Sequence, residues 1–226
     1  MRNQEMIDAL VAWIRKVTPP DVQVLIPVSG GSDSALCFSL YNQAIPGRVE
    51  GVFIGTALRA KAWFEQQGTM YYSDLQTNGP SPEVERWAHF LTLGIQQNRA
   101  LVGSRNRTED TLGTFSHASK VCSFLPLANL WKSQVMELCD FVGVPGEIIA
   151  SSRRADPACG RPKRMADIPF EVVDAFLCSK LGLPCPVLAP TGSADQLHYL
   201  EQVYAGQSYK KHLPFKGPST LPPVGY

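Results

Sequence analysis

The chain has 226 residues, 44% of them hydrophobic and 18% charged, with a formal net charge of +1. That balance allows a sizeable core and excludes a disordered chain, and it leaves no bulk basic field for nucleic acid. No uninterrupted apolar stretch approaches the roughly 20 residues of a membrane helix, and the charged opening "MRNQEMIDALVAWIRKV" does not read as a secretory signal. Cysteines stand at 37, 122, 139, 159, 178 and 185 without a CxxC pair or a metal-ligand rhythm. Several lie in apolar helical patterns, where a free thiol behaves as a small hydrophobe. The expectation is a reduced, cytoplasmic protein with neither a nucleic-acid nor a membrane partner. It reads as one domain over 1–226, with residues 206–226 as an extended tail able to close over a site.

In chain order, Met6, Ile7, Leu10, Val11, Ile14 and Val17 share one helical face, and Thr18-Pro19-Pro20 stops that helix. "VQVLIPV" (22–28) is a near-continuous β-branched run, the pattern of a strand covered on both faces. A helix follows from about Ser34 to Ala44, then a second buried strand, "VEGVFI" (49–54). "AKAWFEQQG" reads as a helix ended by Gly68, and "TMYYSDL" as a third strand. Ser81-Pro82-Glu83 opens a helix with a cap, a proline in the first turn and an acid where the dipole favours one. It runs to about Asn98 with Val84, Trp87, Leu91 and Ile95 on one side. "RALVG" (99–103) is the fourth strand, and "NLWKSQVMELCDFVGVP" and "IPFEVVDAFLCSKLG" are helices. Ser193 and Gln196 form a capping box for the last helix. The basic run "RRADPACGRPKR" (153–164) reads first as a solvated loop. Strand and helix alternate from residue 20 to about 145, which specifies an α/β fold: a doubly wound, Rossmann-like parallel sheet with flanking helices.

In such sheets ligands bind beyond the carboxyl ends of the strands, at the switch in winding direction. "IPVSGGSDSALC" (26–37) takes that place after the first strand. Gly30 and Gly31 let the backbone approach an anion closely, and Ser29, Ser32 and Ser34 add hydroxyl groups. The next helix starts here with its free N–H groups. Asp33 fits a phosphate site if a cation such as magnesium stands between the carboxylate and the anion. The GxxxxGK[ST] lysine of ordinary ATPases is missing, so cleavage between β- and γ-phosphates is not indicated.

"SGGSDS" between a buried strand and a helix resembles the ATP-pyrophosphatase loop. A second stretch, "ALVGSRNRTEDTLGTFSHASK" (100–120), is similar to the "GTxNRTE…GxxTKxGD" segment of ammonia-dependent NAD synthetases. "LPLANLWKSQVMELCDFVGVP", "IPFEVVDAFL" and "SYKKHLP" match further segments of that family, so the likeness covers nearly the whole chain, with some shortening around 55–80. It implies an adenine nucleotide α-hydrolase-like domain that works as a homodimer. ATP phosphates would lie on Ser29, Gly30, Gly31, Ser32, Asp33 and Ser34, with Mg2+ on Asp33 and Glu109. Lys132 would contact the nucleotide phosphates, and Ser104 stands for a threonine that contacts ATP. Arg86 and Lys210 would touch the dinucleotide substrate, Tyr209 having replaced the tail's histidine.

The departures from the family cluster on the acceptor side. "SHASK" replaces "TKxGD", so His117 falls near the lysine and Lys120 near the aspartate, and both are expected at the substrate; Arg154, expected as a nucleotide contact, replaces the "PTAxL" threonine. The acidic "DE" before the penultimate helix has become "RPKRMAD". Exchanging Asp for Lys reverses the sign of a recognition contact.

The reaction implied is adenylation of a carboxylate, nicotinic acid adenine dinucleotide in the family, followed by ammonia transfer to give the amide, AMP and pyrophosphate. The chain shows no glutaminase domain, so ammonia would come free or from a separate partner. Two other classes stay open: a sulfur- or nitrogen-transferring relative using a cysteine such as Cys159, or a nucleotide-binding module that no longer catalyses.

Overall fold

The four runs expected as strands are strands, and they pair side by side in one direction. The computed structural model describes residues 2–77, 79, 81–153, 163–186, 191–207, 209 and 210. Its strands β1 (Gln23–Pro27), β2 (Val49–Ile54), β3 (Thr69–Ser73) and β4 (Arg99–Leu101) form a parallel sheet in the order β3-β2-β1-β4. Ile26 is in register with Gly51 across β1 and β2, and Leu25 with Leu101 across β1 and β4. The helices among the described residues are α1 (Arg2–Val17), α2 (Ser32–Ala44), α3 (Lys61–Gln67), α4 (Pro82–Gln96), α5 (Arg107–Leu112), α6 (Lys132–Phe141), α7 (Gly146–Ser152), α8 (Lys163–Ala166), α9 (Phe170–Leu181) and α10 (Ala194–Gly206). A 3-10 turn covers His117–Val121.

Alternation along β1 divides the core, because successive side chains of a strand point to opposite faces. Val24, Ile26 and Val28 pack with α1, α2 and α6 through residues such as Ile14, Phe38 and Leu138. Leu25, with Val52 and Leu101, packs with Phe90 and Leu93 of α4 on the other face. The chain winds outward from β1 to β3, then returns through α4 to place β4 on β1's other side. The winding therefore switches between β1 and β4, and the glycine turn leaves β1 at that crevice. A second cluster, built on Leu112, Trp131, Val173, Leu177 and Leu200, joins α5, α8, α9 and α10 beside the start of α6.

Three local expectations change. The stripe Val84, Trp87, Leu91, Ile95 is not the packed face of α4: Val84, Leu91 and Ile95 are exposed, while Phe90, Leu93 and Gly94 are buried. Both stripes pass through Trp87, and the position of the sheet selects the one that is buried. Ser81 makes no side-chain cap, although Pro82 and Glu83 do open the helix. The second helix begins at Ser32, two residues early, with Gly31 at its cap. The capping box of Ser193 and Gln196 forms as read. Cys37, Cys139 and Cys178 are buried, and burial pushes the Cys139 thiol up to about 12 and that of Cys178 to about 11. They remain protonated packing residues at neutral pH; Cys159 lies outside the described residues. Among the described residues no helix is long and apolar enough to cross a membrane.

Gly51 shows how tightly β2 meets α2. A Cβ there would stand 2.5 Å from Met70 Sδ, 2.8 Å from Phe38 and 3.1 Å from Val28. Met70 can swing aside, but the Phe38 ring is fully buried. Gly51→Ala is expected to destabilise by about 1–3 kcal/mol, read as a lower thermal midpoint. An unchanged midpoint would show that the core yields at this place.

Candidate active site

The turn after β1 is held by its own serines. Gly30 adopts φ +76°, a conformation that side chains rarely take, and a Cβ on it would lie 3.2 Å from Leu58. Ser34 Oγ donates to the Gly31 carbonyl at 3.0 Å and accepts from Ser29 N–H at 3.2 Å. With the Ser34 proton so engaged, the 3.1 Å contact between the two hydroxyls has Ser29 as donor. Ser29 Oγ in turn accepts from Gly31 N–H at 3.3 Å. Ser29 and Ser34 thus shape the turn. The end of α7 clamps it from outside: Ser152 Oγ accepts from Ser32 N–H at 3.1 Å. Arg59 Nη1 donates to Ser151 Oγ at 2.8 Å and approaches the Gly30 carbonyl at 3.4 Å. Ser32 is buried, and Ser29 is exposed.

Asp33, in the first turn of α2, meets residues from two other elements. Lys132, the first residue of α6, is only 7% exposed; its Nζ donates to Ser32 Oγ at 2.7 Å and forms an ion pair with Asp33 Oδ2. The Phe170 ring lies 5.4 Å from the same nitrogen. Asn106 Nδ2 donates to the other Asp33 oxygen at 2.8 Å. Asn106 also caps α5: its Oδ1 accepts from Glu109 N–H at 3.0 Å, while Glu109 Oε2 accepts from Asn106 N–H at 3.3 Å. One fully buried amide therefore ties the two carboxylates together. Burial pushes the Glu109 carboxyl up to about 7; the nearby Asp33 charge adds to this, and Lys132, the Asn106 N–H and Arg105 oppose it.

Three of the four residues expected on the acceptor side, His117, Lys120 and Lys210, lie together as a second group around Phe115. Lys210 Nζ donates to the Phe115 carbonyl at 3.2 Å, and Lys120 Nζ donates to the Lys210 carbonyl at 3.3 Å. The Lys120 and Lys210 nitrogens lie 5.6 and 5.7 Å from the Phe115 ring, and the Arg105 guanidinium lies 4.3 Å from it. His117 and Tyr209 bring their rings to 6.0 Å. His117, Lys120 and Lys210, up to 93 positions apart in the chain, are thus neighbours. Arg105 connects the groups, since its charge acts on Glu109. Ser104 precedes it in the same loop. Arg86 is half-buried on α4, the helix that packs beside the His117–Val121 turn. Arg154 lies outside the described residues.

Sequence reasoning passed over Asn106, Arg59 and Arg105. Asn106 had a readable signal, because Asn-x-x-Glu is the spacing of a capping box. Its second bond, to Asp33, had none.

A family model described as NAD synthase matches residues 84–214, more than half of the chain. The chain belongs to that family. It is 30% identical to the NH(3)-dependent NAD(+) synthetase of Thermococcus kodakarensis over 53% of the chain, a match spanning about half (49%) of that protein's length. With the NH(3)-dependent NAD(+) synthetase of Carboxydothermus hydrogenoformans it shares 24% identity over 93% of the chain and 96% of the relative. Among solved structures, the NMN synthetase from Francisella tularensis superimposes with a TM-score of 0.72 at 20% identity, covering 96% of this chain and 99% of that one. The NH3-dependent NAD synthetase from Campylobacter jejuni gives 0.67 at 19% identity, covering 98% and 100%. At those identities the likeness carries the fold: the NAD synthase family's adenine nucleotide α-hydrolase-like sheet.

Proposed function

We propose that the chain is an ATP-dependent carbon–nitrogen ligase that converts the carboxylate of a nicotinate nucleotide, nicotinic acid adenine dinucleotide in the first place, to its amide. A carboxylate oxygen attacks the α-phosphorus of ATP, the bond to the β-phosphate breaks, and pyrophosphate leaves. Ammonia then attacks the acyl carbon, AMP leaves, and the nitrogen loses one proton. What carries this reading is the convergence of Lys132, Asp33, Asn106 and Glu109 beside the glycine turn, at the switch point of a sheet whose family is that of NAD synthases.

The chain's own residues do this by placement and charge. Ser29, Gly30, Gly31, Ser32 and Ser34 form the backbone cradle for the phosphates, with Ser104 at its margin. Lys132 holds a buried positive charge at the floor of the cradle, where phosphate oxygens gain charge as the α–β bond breaks. Arg86, His117, Lys120 and Lys210 orient the acceptor, and Arg154 contacts the nucleotide.

Asp33 and Glu109 suit a magnesium ion. The Asp33 charge opposes ionisation of Glu109, which a divalent cation would relieve, and Mg2+ favours one or two carboxylates with phosphate oxygens and water. When bound there, it would neutralise phosphate charge. The expected tail, 206–226, lies mostly outside the described residues; its described part supports a role beside the acceptor, since Lys210 Nζ donates to the Phe115 carbonyl. The protein is cytoplasmic and a homodimer, the exposed Val84, Leu91 and Ile95 on α4 offering apolar area for a second copy. Ammonia arrives free or from a separate partner.

The test is product analysis with ATP, magnesium, ammonium and nicotinic acid adenine dinucleotide, with nicotinic acid mononucleotide in parallel. AMP and pyrophosphate should appear in step with the amide. Stoichiometric ADP and orthophosphate would overturn the mechanism. Turnover with the mononucleotide alone would move the acceptor and keep the chemistry.

A further inference from the structure

The first residue of α6 carries the lysine of the site; Gln134 Oε1 accepts from Trp131 N–H at 3.0 Å, but the N-cap side chain itself caps nothing. Trp131 stands at the N-cap position, and an indole has no acceptor to offer. The amides of Lys132 and Ser133 are among the helix's unpaired donors, and buried ones need partners from elsewhere. They find them on two other helices. Thr108 Oγ1, on α5, accepts from Lys132 N–H at 2.8 Å, and Asp174 Oδ2, on α9, accepts from Ser133 N–H at 2.8 Å. The two partners are joined, since Thr108 donates its hydroxyl proton to Asp174 Oδ1 at 2.5 Å. Asp174 is fully buried and Thr108 nearly so. Burial pushes the Asp174 carboxyl upward, and the bonds from Ser133 and Thr108 pull it back.

Thr108 is also the immediate neighbour of Glu109, on the helix that Asn106 caps. The Thr108–Asp174 pair thus bolts the Glu109 helix to the Lys132 helix at their shared end. With both helix starts fixed, the Lys132 ammonium and the Glu109 carboxylate keep one spacing on either side of Asp33. A hydrophobic contact could hold the helices together, but it would not fix their rotation and register.

We propose that Asp174, acting through Thr108, is a positioning residue that sets Lys132 and Glu109 in their reacting geometry. This rests on the proposed ligase reading for its kinetic readout, and an amide-exchange readout stands apart from that reading. Thr108→Val keeps the shape and loses the hydroxyl, Thr108→Ser keeps the hydroxyl, and Asp174→Asn keeps the size and loses the charge.

Thr108→Val and Asp174→Asn should lower kcat roughly ten- to a hundredfold with KM for ATP within about threefold, and Thr108→Ser should restore most of it. In a Lys132→Met background Asp174→Asn should cost several-fold less than in the wild type, because one of the two residues it serves is gone. Hydrogen exchange at the Lys132 and Ser133 amides should accelerate by about tenfold or more in Thr108→Val and Asp174→Asn, with Leu138 and Cys139 unchanged. An equal kcat loss in both backgrounds, or uniform acceleration along α6, would reduce Asp174 to a fold residue and overturn the proposal. Should the wild-type protein turn over no nicotinate nucleotide, the ligase reading fails. The exchange pattern then decides this one: acceleration confined to the first turn supports it, and unchanged exchange overturns it.

Discussion

Lys132→Met should lower turnover by about a thousandfold while leaving a folded protein. The ammonium of Lys132 is buried, and it is preset by Ser32 Oγ at 2.7 Å and by the Asp33 carboxylate. A preset charge costs no reorganisation when negative charge builds on the phosphate oxygens, and losing one such donor typically costs about 10²–10³ in kcat. Lys132 adds a full charge to the bond, which places the expected loss at the upper end. Methionine keeps the stem that fills the space beside Phe170, so packing survives. Asp33 loses its ion-pair partner but keeps the Asn106 amide, and its side chain is 21% exposed. The stability loss should therefore be modest, roughly 1–2 kcal/mol against the 3–5 of a fully buried broken pair. Pyrophosphate release under saturating ATP measures the rate, and urea denaturation measures the fold. A kcat within tenfold of wild type would remove Lys132 from the chemistry.

The cradle was legible because its signal is local. A β-branched run that opens into "SGGSDS" and then a helix needs no tertiary knowledge to be read as a close-approach turn. The sheet was legible for the same reason: each strand is a short apolar run bounded by turn residues. Asn106 marks the limit. Its capping bond to Glu109 spans three positions and follows from the Asn-x-x-Glu spacing, while its bond to Asp33 spans 73 and depends on how β1 and β4 pair. Thr108 and Asp174 lie 66 positions apart, and their meeting requires α5 to dock on α9. On α4, periodicity yields two stripes through Trp87, and only the sheet on one side chooses between them. The helices α7 and α8, with seven and four residues, are too short to show a period at all. His117, Lys120 and Lys210 were singled out by family resemblance alone, since charge would have left each a surface residue, and their meeting beside Phe115 depends on the tertiary fold.

Glu109→Gln should make the unliganded protein more stable at pH 8 while cutting magnesium-dependent turnover about a hundredfold or more. Glutamine keeps an acceptor for the Asn106 N–H, so the capping box survives the change. The ionised carboxylate is what the fold resists. Its folded-state value is about 7, against an ordinary 4.5, because burial and the Asp33 charge outweigh Lys132, the Asn106 N–H and Arg105. A raised value means the folded state holds its proton more tightly than the unfolded chain does. That contribution to stability is complete below about pH 4.5 and is lost as pH rises through 7. The glutamine of the variant does not titrate, so wild type and variant should unfold alike near pH 4 and diverge by pH 8. The gap should be on the order of 2 kcal/mol, several degrees in midpoint for a chain of this size. In the wild type a proton and a magnesium ion compete for the same carboxylate, so magnesium should bind more tightly as pH climbs past 7. Magnesium should then stabilise the wild type at pH 8 far more than the variant, reversing their order. Thermal denaturation at pH 4, 6 and 8, with and without magnesium and a non-hydrolysable ATP analogue, reads all of this. If the variant gains nothing at pH 8 and turns over at the wild-type rate, Glu109 is a helix-capping acid and the metal site must be sought elsewhere.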